Sequence, residues 1–163
     1  MSTASGMGEP GAAPECWVDN GNISYITQKR FSVRMQGQGG MTLRVPQPAV
    51  LVVEDDAITR LSAVEIVEGA GFRGIGVSSA DEAVRVLEMR DDIRAVFTDV
   101  QVPGSMDGLE LVRLMRERWP AVASLVTSGS TNMSEADLPS GVRFFAKPYL
   151  RCEIIAALRG LII

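Results

Sequence analysis

Histidine is missing altogether from the 163 residues, and lysine and cysteine occur twice each. Without histidine there is no histidine-based triad, no metal–histidine cluster and no phosphohistidine carrier. If the chain handles phosphoryl groups, it takes them on oxygen. Cys16 and Cys152 are far apart and belong to no CxxC pair, which argues against zinc. Long apolar runs are lacking too, so nothing approaches the roughly 20 residues of a membrane span. The first 28 residues carry no Lys or Arg and no long apolar core, unlike a secretory leader. The expectation is a soluble cytoplasmic protein. Basic surplus is also missing. Net charge is −4, and an acidic body with no basic stripe argues against a nucleic-acid partner.

What is present divides at about residue 48. Residues 1–48 hold Gly6, Gly8, Gly11, Gly21, Gly37, Gly39, Gly40 and Pro10, Pro14, Pro46, Pro48, with apolar residues scattered without period. This composition predicts an N-terminal extension without fixed order. At most, 23–26 and 30–33 form a weak hairpin. Met41 marks an alternative start, since everything a domain needs follows it.

From residue 49 apolar runs and helical patterns alternate. Strands are predicted at about 49–53, 73–77, 94–98, 122–126 and 142–146. A helix from Ala57 to Ala70 has Asp56 as N-cap, Gly71 as its stop, and Ile58, Leu61, Val64, Ile66 and Val67 at helical spacing. Ser79 with Glu82 reads as a capping box opening a second helix. A third helix starts near Asp107 and ends before Pro120, and a last one covers about 150–160 with Ile154, Ile155 and Leu158 on one side. Segment 131–141, with Ser134, Asp137, Pro139 and Gly141, has room for little more than two helical turns. Alternating strands and helices imply a doubly wound parallel α/β sheet with helices on both faces. Such sheets bind ligands at the carboxyl ends of their strands.

Those ends carry the chemistry. Val50-Leu-Val-Val53 runs into Glu54-Asp55-Asp56, and Ala95-Val-Phe-Thr98 into Asp99. Ser124-Leu-Val126 runs into Thr127-Ser128-Gly129, and Val142-Arg-Phe-Phe-Ala146 into Lys147-Pro148. Asp99 is the candidate nucleophile, able to hold a phosphoryl group as an acyl phosphate. Alone, a strand-terminal Asp can simply cap a turn. Clustered carboxylates are costly, since two like charges about 4 Å apart repel by roughly 4 kcal/mol at an effective dielectric of about 20. A hard divalent cation removes that cost and prefers oxygen. Asp55 and Asp99 are assigned as direct Mg²⁺ ligands, Glu54 as acting through water, and the Gln101 main-chain carbonyl as a further oxygen. Asp56 is assigned to the helix cap. Lys147 places a compact ammonium where 14 of the other 15 basic residues are arginine, suited to a phosphoryl oxygen. The Thr127 hydroxyl can donate to the same group. Acidic runs are often merely solvated, and lysines often merely exposed; the weight lies in each group ending its own strand.

At these residues the chain closely resembles the receiver domain of two-component response regulators. The resemblance spans about 47–160 and rests on the motifs at 50–56, 97–104, 107–111, 126–129 and 144–149. Its overall pattern is similar to stand-alone receivers of alphaproteobacteria. It implies a five-stranded flavodoxin-like sheet of order 2-1-3-4-5. It also implies Asp99 phosphorylated by a histidine kinase or phosphotransfer protein, Mg²⁺ dependence and slow self-dephosphorylation. The switch hydroxyl falls on Thr127 and the switch aromatic on Phe144. No further module follows residue 163 of this sequence, so output is expected through contact with a downstream protein of unknown identity, or through phosphoryl relay.

Three departures stand out. The loop through Gly104-Ser105-Met106 is one residue longer than the commonest family loop. Segment 131–141 makes the usual fourth helix short or absent, and Phe144 replaces the common tyrosine. Two rivals are a receiver-shaped scaffold indifferent to phosphate and an aspartyl-nucleophile phosphatase. The second usually wants an acid two residues after the nucleophile, where this chain has Gln101.

Overall fold

The computed structural model describes residues 17–19, 22–24, 47–130 and 132–162. The chain divides into two units, Met1–Leu43 and Arg44–Ile163. In the first, β1 (Trp17–Asp19) pairs antiparallel with β2 (Asn22–Ser24), Asp19 opposite Asn22. Ile23 and Ser24 of this ladder stand opposite Val18 and Trp17. The two residues between these strands are Asn20-Gly21, the strongest short-range hairpin signal, which the expectation for 23–33 overlooked. Residues 25–33 lie outside the described residues, as does most of the extension expected to lack order.

In the second unit, β3 (Ala49–Val53), β4 (Arg73–Val77), β5 (Ile93–Asp99), β6 (Ala123–Ser128) and β7 (Arg143–Ala146) form one sheet. Its order is β4-β3-β5-β6-β7 and every pairing is parallel, which is the expected 2-1-3-4-5 arrangement. All five residues of β3 are buried because helices cover both faces. On one face Val50, Val52, Ala95, Phe97 and Leu125 meet α1 (Ala57–Gly69) and α4 (Arg151–Ile162) through Ala63, Ile66, Val67, Ile154 and Leu158. On the other, Leu51, Val53 and Val96 meet α2 (Ala80–Met89) and α3 (Gly108–Arg118) through Ala83, Leu87, Leu111 and Met115.

Local signals explain most element ends. Asp56 caps α1, its carboxylate accepting from the Thr59 N–H and hydroxyl at 2.8 Å each. Past the helix end, Gly71 takes φ +96°, where a side chain would be strained. The box expected at α2 is shifted: Ser79 Oγ accepts from the Glu82 N–H, but the Glu82 carboxylate accepts from the Ser78 N–H instead of closing on Ser79. The reciprocal box is at α3, between Asp107 and Glu110. Between β6 and β7 there is one turn of 3-10 helix, Glu135–Asp137. The Ser134 N–H and hydroxyl both donate to the Asp137 carboxylate, and Pro139 follows, so the turn closes on itself.

The helical spacing of α1 left open which of its apolar positions are buried. Ile58 and Leu61 are 78% and 61% exposed, while α1 buries Ala63, Ile66, Val67 and Ala70. The helix has two apolar stripes, and the sheet selects the one whose alanines permit close approach.

Candidate functional site

The register of the parallel strands sets the site. Val53 is level with Thr98, so Glu54 follows beside Asp99; Asp99 is level with Thr127, and Ser128 with Ala146. Lys147 is held at the end of β7, its N–H donating to the Ser128 carbonyl at 2.8 Å, and its bond to Pro148 is cis. Its ammonium donates to Asp99 Oδ2 at 2.5 Å and to Glu54 Oε2 at 2.9 Å. Three of the predicted groups therefore converge, from residues 93 and 48 positions apart along the chain.

Burial shapes their ionisation. Glu54 is 6% exposed, and burial raises its carboxyl above the usual range against the opposing pull of Lys147 and the Asp56 N–H. Burial alone would depress the Lys147 ammonium, but hydrogen bonds from it to Asp99 and Glu54 outweigh this and raise it. The other Asp99 oxygen, Oδ1, accepts from the Gln101 N–H at 3.1 Å. Asp55 is exposed, and among the described residues its carboxylate takes part in no hydrogen bond or ion pair.

The remaining groups stand nearby. Thr127 is 2% exposed, and its hydroxyl is directed to the Thr98 carbonyl at a long 3.5 Å rather than to Asp99. Phe144 is half-buried against the cluster of Val112, Val126, Leu138 and Val142.

Four features escaped sequence reasoning. Gly108 lies so close to the end of β5 that a Cβ there would be 2.0 Å from the Asp99 carbonyl oxygen, so only glycine fits. Ser105, in the loop before α3, donates from its N–H and hydroxyl to the Asp81 carboxylate on α2 at 2.8 and 2.5 Å. Tyr149 packs edge-on against Phe97, ring centres 5.6 Å apart. Arg60 donates to the main-chain carbonyls of Glu54 and Asp55. Only the Asp107-Gly108 pair carried a local signal; the others are contacts between distant segments or between a helix and the strand before it.

An all-oxygen donor set suits a hard cation such as Mg²⁺. Among the described residues, however, no three acidic side chains are grouped to hold a metal by themselves. Lys147, whose ammonium bridges Glu54 and Asp99, supplies their counter-charge.

The family profile described as the response regulator receiver domain matches residues 50–159. The chain belongs to this family, as its motifs implied. It is 34% identical over 119 residues to the hydrogenase transcriptional regulatory protein HoxA of Cupriavidus necator, covering 69% of this chain and 24% of that one. It is 32% identical over 103 residues to the aerobic respiration control protein ArcA of Escherichia coli, covering 63% of this chain and 41% of that one. The chain thus spans less than half the length of these relatives. Among solved structures, a response regulator receiver protein from Sinorhizobium medicae superposes with TM-score 0.66 at 26% identity, covering 72% of this chain and 95% of that one. One from Pseudomonas putida gives 0.62 at 28%, covering 70% and 97%.

Proposed function

We propose that the chain is a phosphoacceptor of a two-component or phosphorelay system, charged on Asp99 and read out by protein–protein contact. The observation that carries this reading is the Lys147 ammonium placed 2.5 Å from one Asp99 oxygen. In the proposed step an Asp99 oxygen attacks phosphorus in line. The bond from phosphorus to the donor's histidine nitrogen breaks, and that nitrogen keeps the electron pair. Lys147 moves from Asp99 to a phosphoryl oxygen and holds its charge; the Gln101 N–H keeps the carboxylate oriented. Asp55, Asp99, Glu54 through water, and the Gln101 carbonyl would hold Mg²⁺. Bound there, the ion would neutralise charge developing on the transferring group.

A histidine kinase or phosphotransfer protein is the proposed donor. Ile58, Leu61 and Leu150 are 78%, 61% and 57% exposed on elements beside Glu54 and Lys147, an apolar rim on which a donor helix can rest. Readout is proposed through Thr127 and Phe144: the phosphoryl group draws the hydroxyl in, and the ring follows into the vacated space. Phe144 carries no hydroxyl to re-pair, so packing alone decides that shift. A soluble cytoplasmic protein without a nucleic-acid or membrane partner fits this role. No helix among the described residues is long and apolar enough to cross a membrane.

The test is incubation with acetyl phosphate and Mg²⁺ followed by intact mass. One phosphate is expected on the chain and none on Asp99→Asn. An Asp99→Asn chain that still gains the phosphate sinks the reading, and multiple turnover on a phosphate monoester would favour the phosphatase instead.

A further inference from the structure

Arg60 lies on the second turn of α1, outside every motif by which the site was read, yet it holds the acidic pair from behind. The β3 ladder ends at Glu54, whose N–H donates to the Val77 carbonyl at 3.1 Å. Beyond that point the carbonyls of Glu54 and Asp55 have left the sheet and need other donors. One guanidinium nitrogen, Arg60 Nη1, supplies both, at 2.7 Å to Glu54 O and 3.2 Å to Asp55 O. The backbone through the two acids is thus held by β4 at the Glu54 N–H and by a helix side chain at the two carbonyls.

The neighbouring strand is shaped for this. The Arg60 stem runs over Gly76 of β4, where a Cβ would lie 3.1 Å from Cγ and 3.2 Å from Cδ. A Cβ at 76 would press on this stem, and on Val64 Cγ2 at 3.3 Å, so the Arg60 side chain would have to give way slightly.

We infer that Arg60 is a positioning residue for metal binding, orienting the Glu54 and Asp55 carboxylates through their own main chain. The inference rests on the phosphoacceptor reading above and adds a residue to it. Its sign separates it from a bystander role. A cation beside a Mg²⁺ site repels the ion, so charge alone predicts that removing Arg60 tightens binding. Positioning predicts the reverse, because partners that orient metal ligands typically cost 10–100-fold in affinity when removed. Lysine keeps the charge and a nitrogen with several donors, but its side chain is one atom shorter and reaches the two carbonyls less fully.

The experiment is a Mg²⁺ titration of the full chain, followed by the amide NMR shifts of Asp55, Asp56 and Gln101. Arg60→Met is expected to weaken binding about tenfold or more. Arg60→Lys should fall between it and the unmodified chain. Gly76→Ala, which retains Arg60 but crowds its stem, should weaken binding in the same direction. Metal-free spectra should differ only near 54–60 and 76–78. Equal or tighter Mg²⁺ binding by Arg60→Met overturns the inference, as does weakening accompanied by shifts throughout the fold. If Arg60→Met does not fold, unchanged binding by both Arg60→Lys and Gly76→Ala overturns it. An unmodified chain that shows no Mg²⁺-dependent shift overturns the phosphoacceptor reading itself, and this inference with it.

Discussion

The two ends of the one parallel sheet treat charge in opposite ways. At the amino ends of the strands each ion pair is balanced: Arg90 with Asp92 at 2.6 Å, and Arg118 with Glu88 at 2.8 Å. Arg118 also stacks over the Trp119 ring at 4.6 Å. These groups are partly or largely exposed, where pairs of this kind contribute about 0–1 kcal/mol. At the carboxyl ends Glu54 and Asp99, both largely buried, share one ammonium, and the exposed Asp55 beside them has no ion pair among the described residues. Balanced surface charge serves solubility and modest stability. A buried surplus of one sign is costly and is retained where a ligand is to supply the balance.

The contrast can be broken at several points. Asp99→Asn should abolish phosphate uptake completely, as read by intact mass, while the native circular dichroism spectrum survives. Next is Lys147→Met. It leaves Glu54 and Asp99 facing each other without a counter-charge and should cost roughly 1–3 kcal/mol in urea unfolding at neutral pH, below the range for a fully buried pair because Lys147 is 26% exposed. The sign with pH follows from Glu54. Its folded-state pKa is already raised above the ordinary 4.5, so its contribution is fully present below 4.5 and is lost as pH rises through the folded value. Removing Lys147 raises it further, so the deficit of the variant should shrink on acidification. Equal deficits at pH 4 and pH 7 would contradict the account.

Ser105→Ala should act more weakly and with opposite sign in pH. The Ser105 hydroxyl and N–H hold the Asp81 carboxyl below its ordinary value of 3.8. That contribution is present above 3.8 and lost as pH falls through the lower folded value. The variant should therefore lose stability relative to the parent at neutral pH and converge with it in strong acid, as thermal melts would show. Smallest of all, Glu88→Gln at the balanced end should shift stability by about 0.5 kcal/mol or less. A larger loss there would erase the distinction between the two ends.

Much of the fold was legible because it is periodic. Continuous apolar runs located β3, β5, β6 and β7, and Gly71, Asp56 and Asp107 marked helix ends through contacts within a few residues. The helical spacing of α1 was legible too, but not which of its apolar stripes faces the sheet, since Ile58 and Leu61 satisfy the period as well as Ile66 and Val67 do. The 131–141 segment was read correctly as poor in helix, because Pro139, Gly141 and the Ser134–Asp137 pair compete locally with helical hydrogen bonds. At the site, residue types at strand ends indicated Glu54, Asp99, Thr127 and Lys147. Arg60 and the Ser105–Asp81 contact gave no such indication.

By itself the order of residues determined the elements, the family and the inventory of reactive groups, since these depend on propensities and spacings within a few positions. The tertiary structure decided which groups meet. Lys147 reaches Glu54 across 93 positions only because strand order and register make β3, β5, β6 and β7 neighbours. Thr127 turns its hydroxyl to Thr98 for the same kind of reason. Contacts of that range are set by packing of the whole sheet, and no local pattern encodes them.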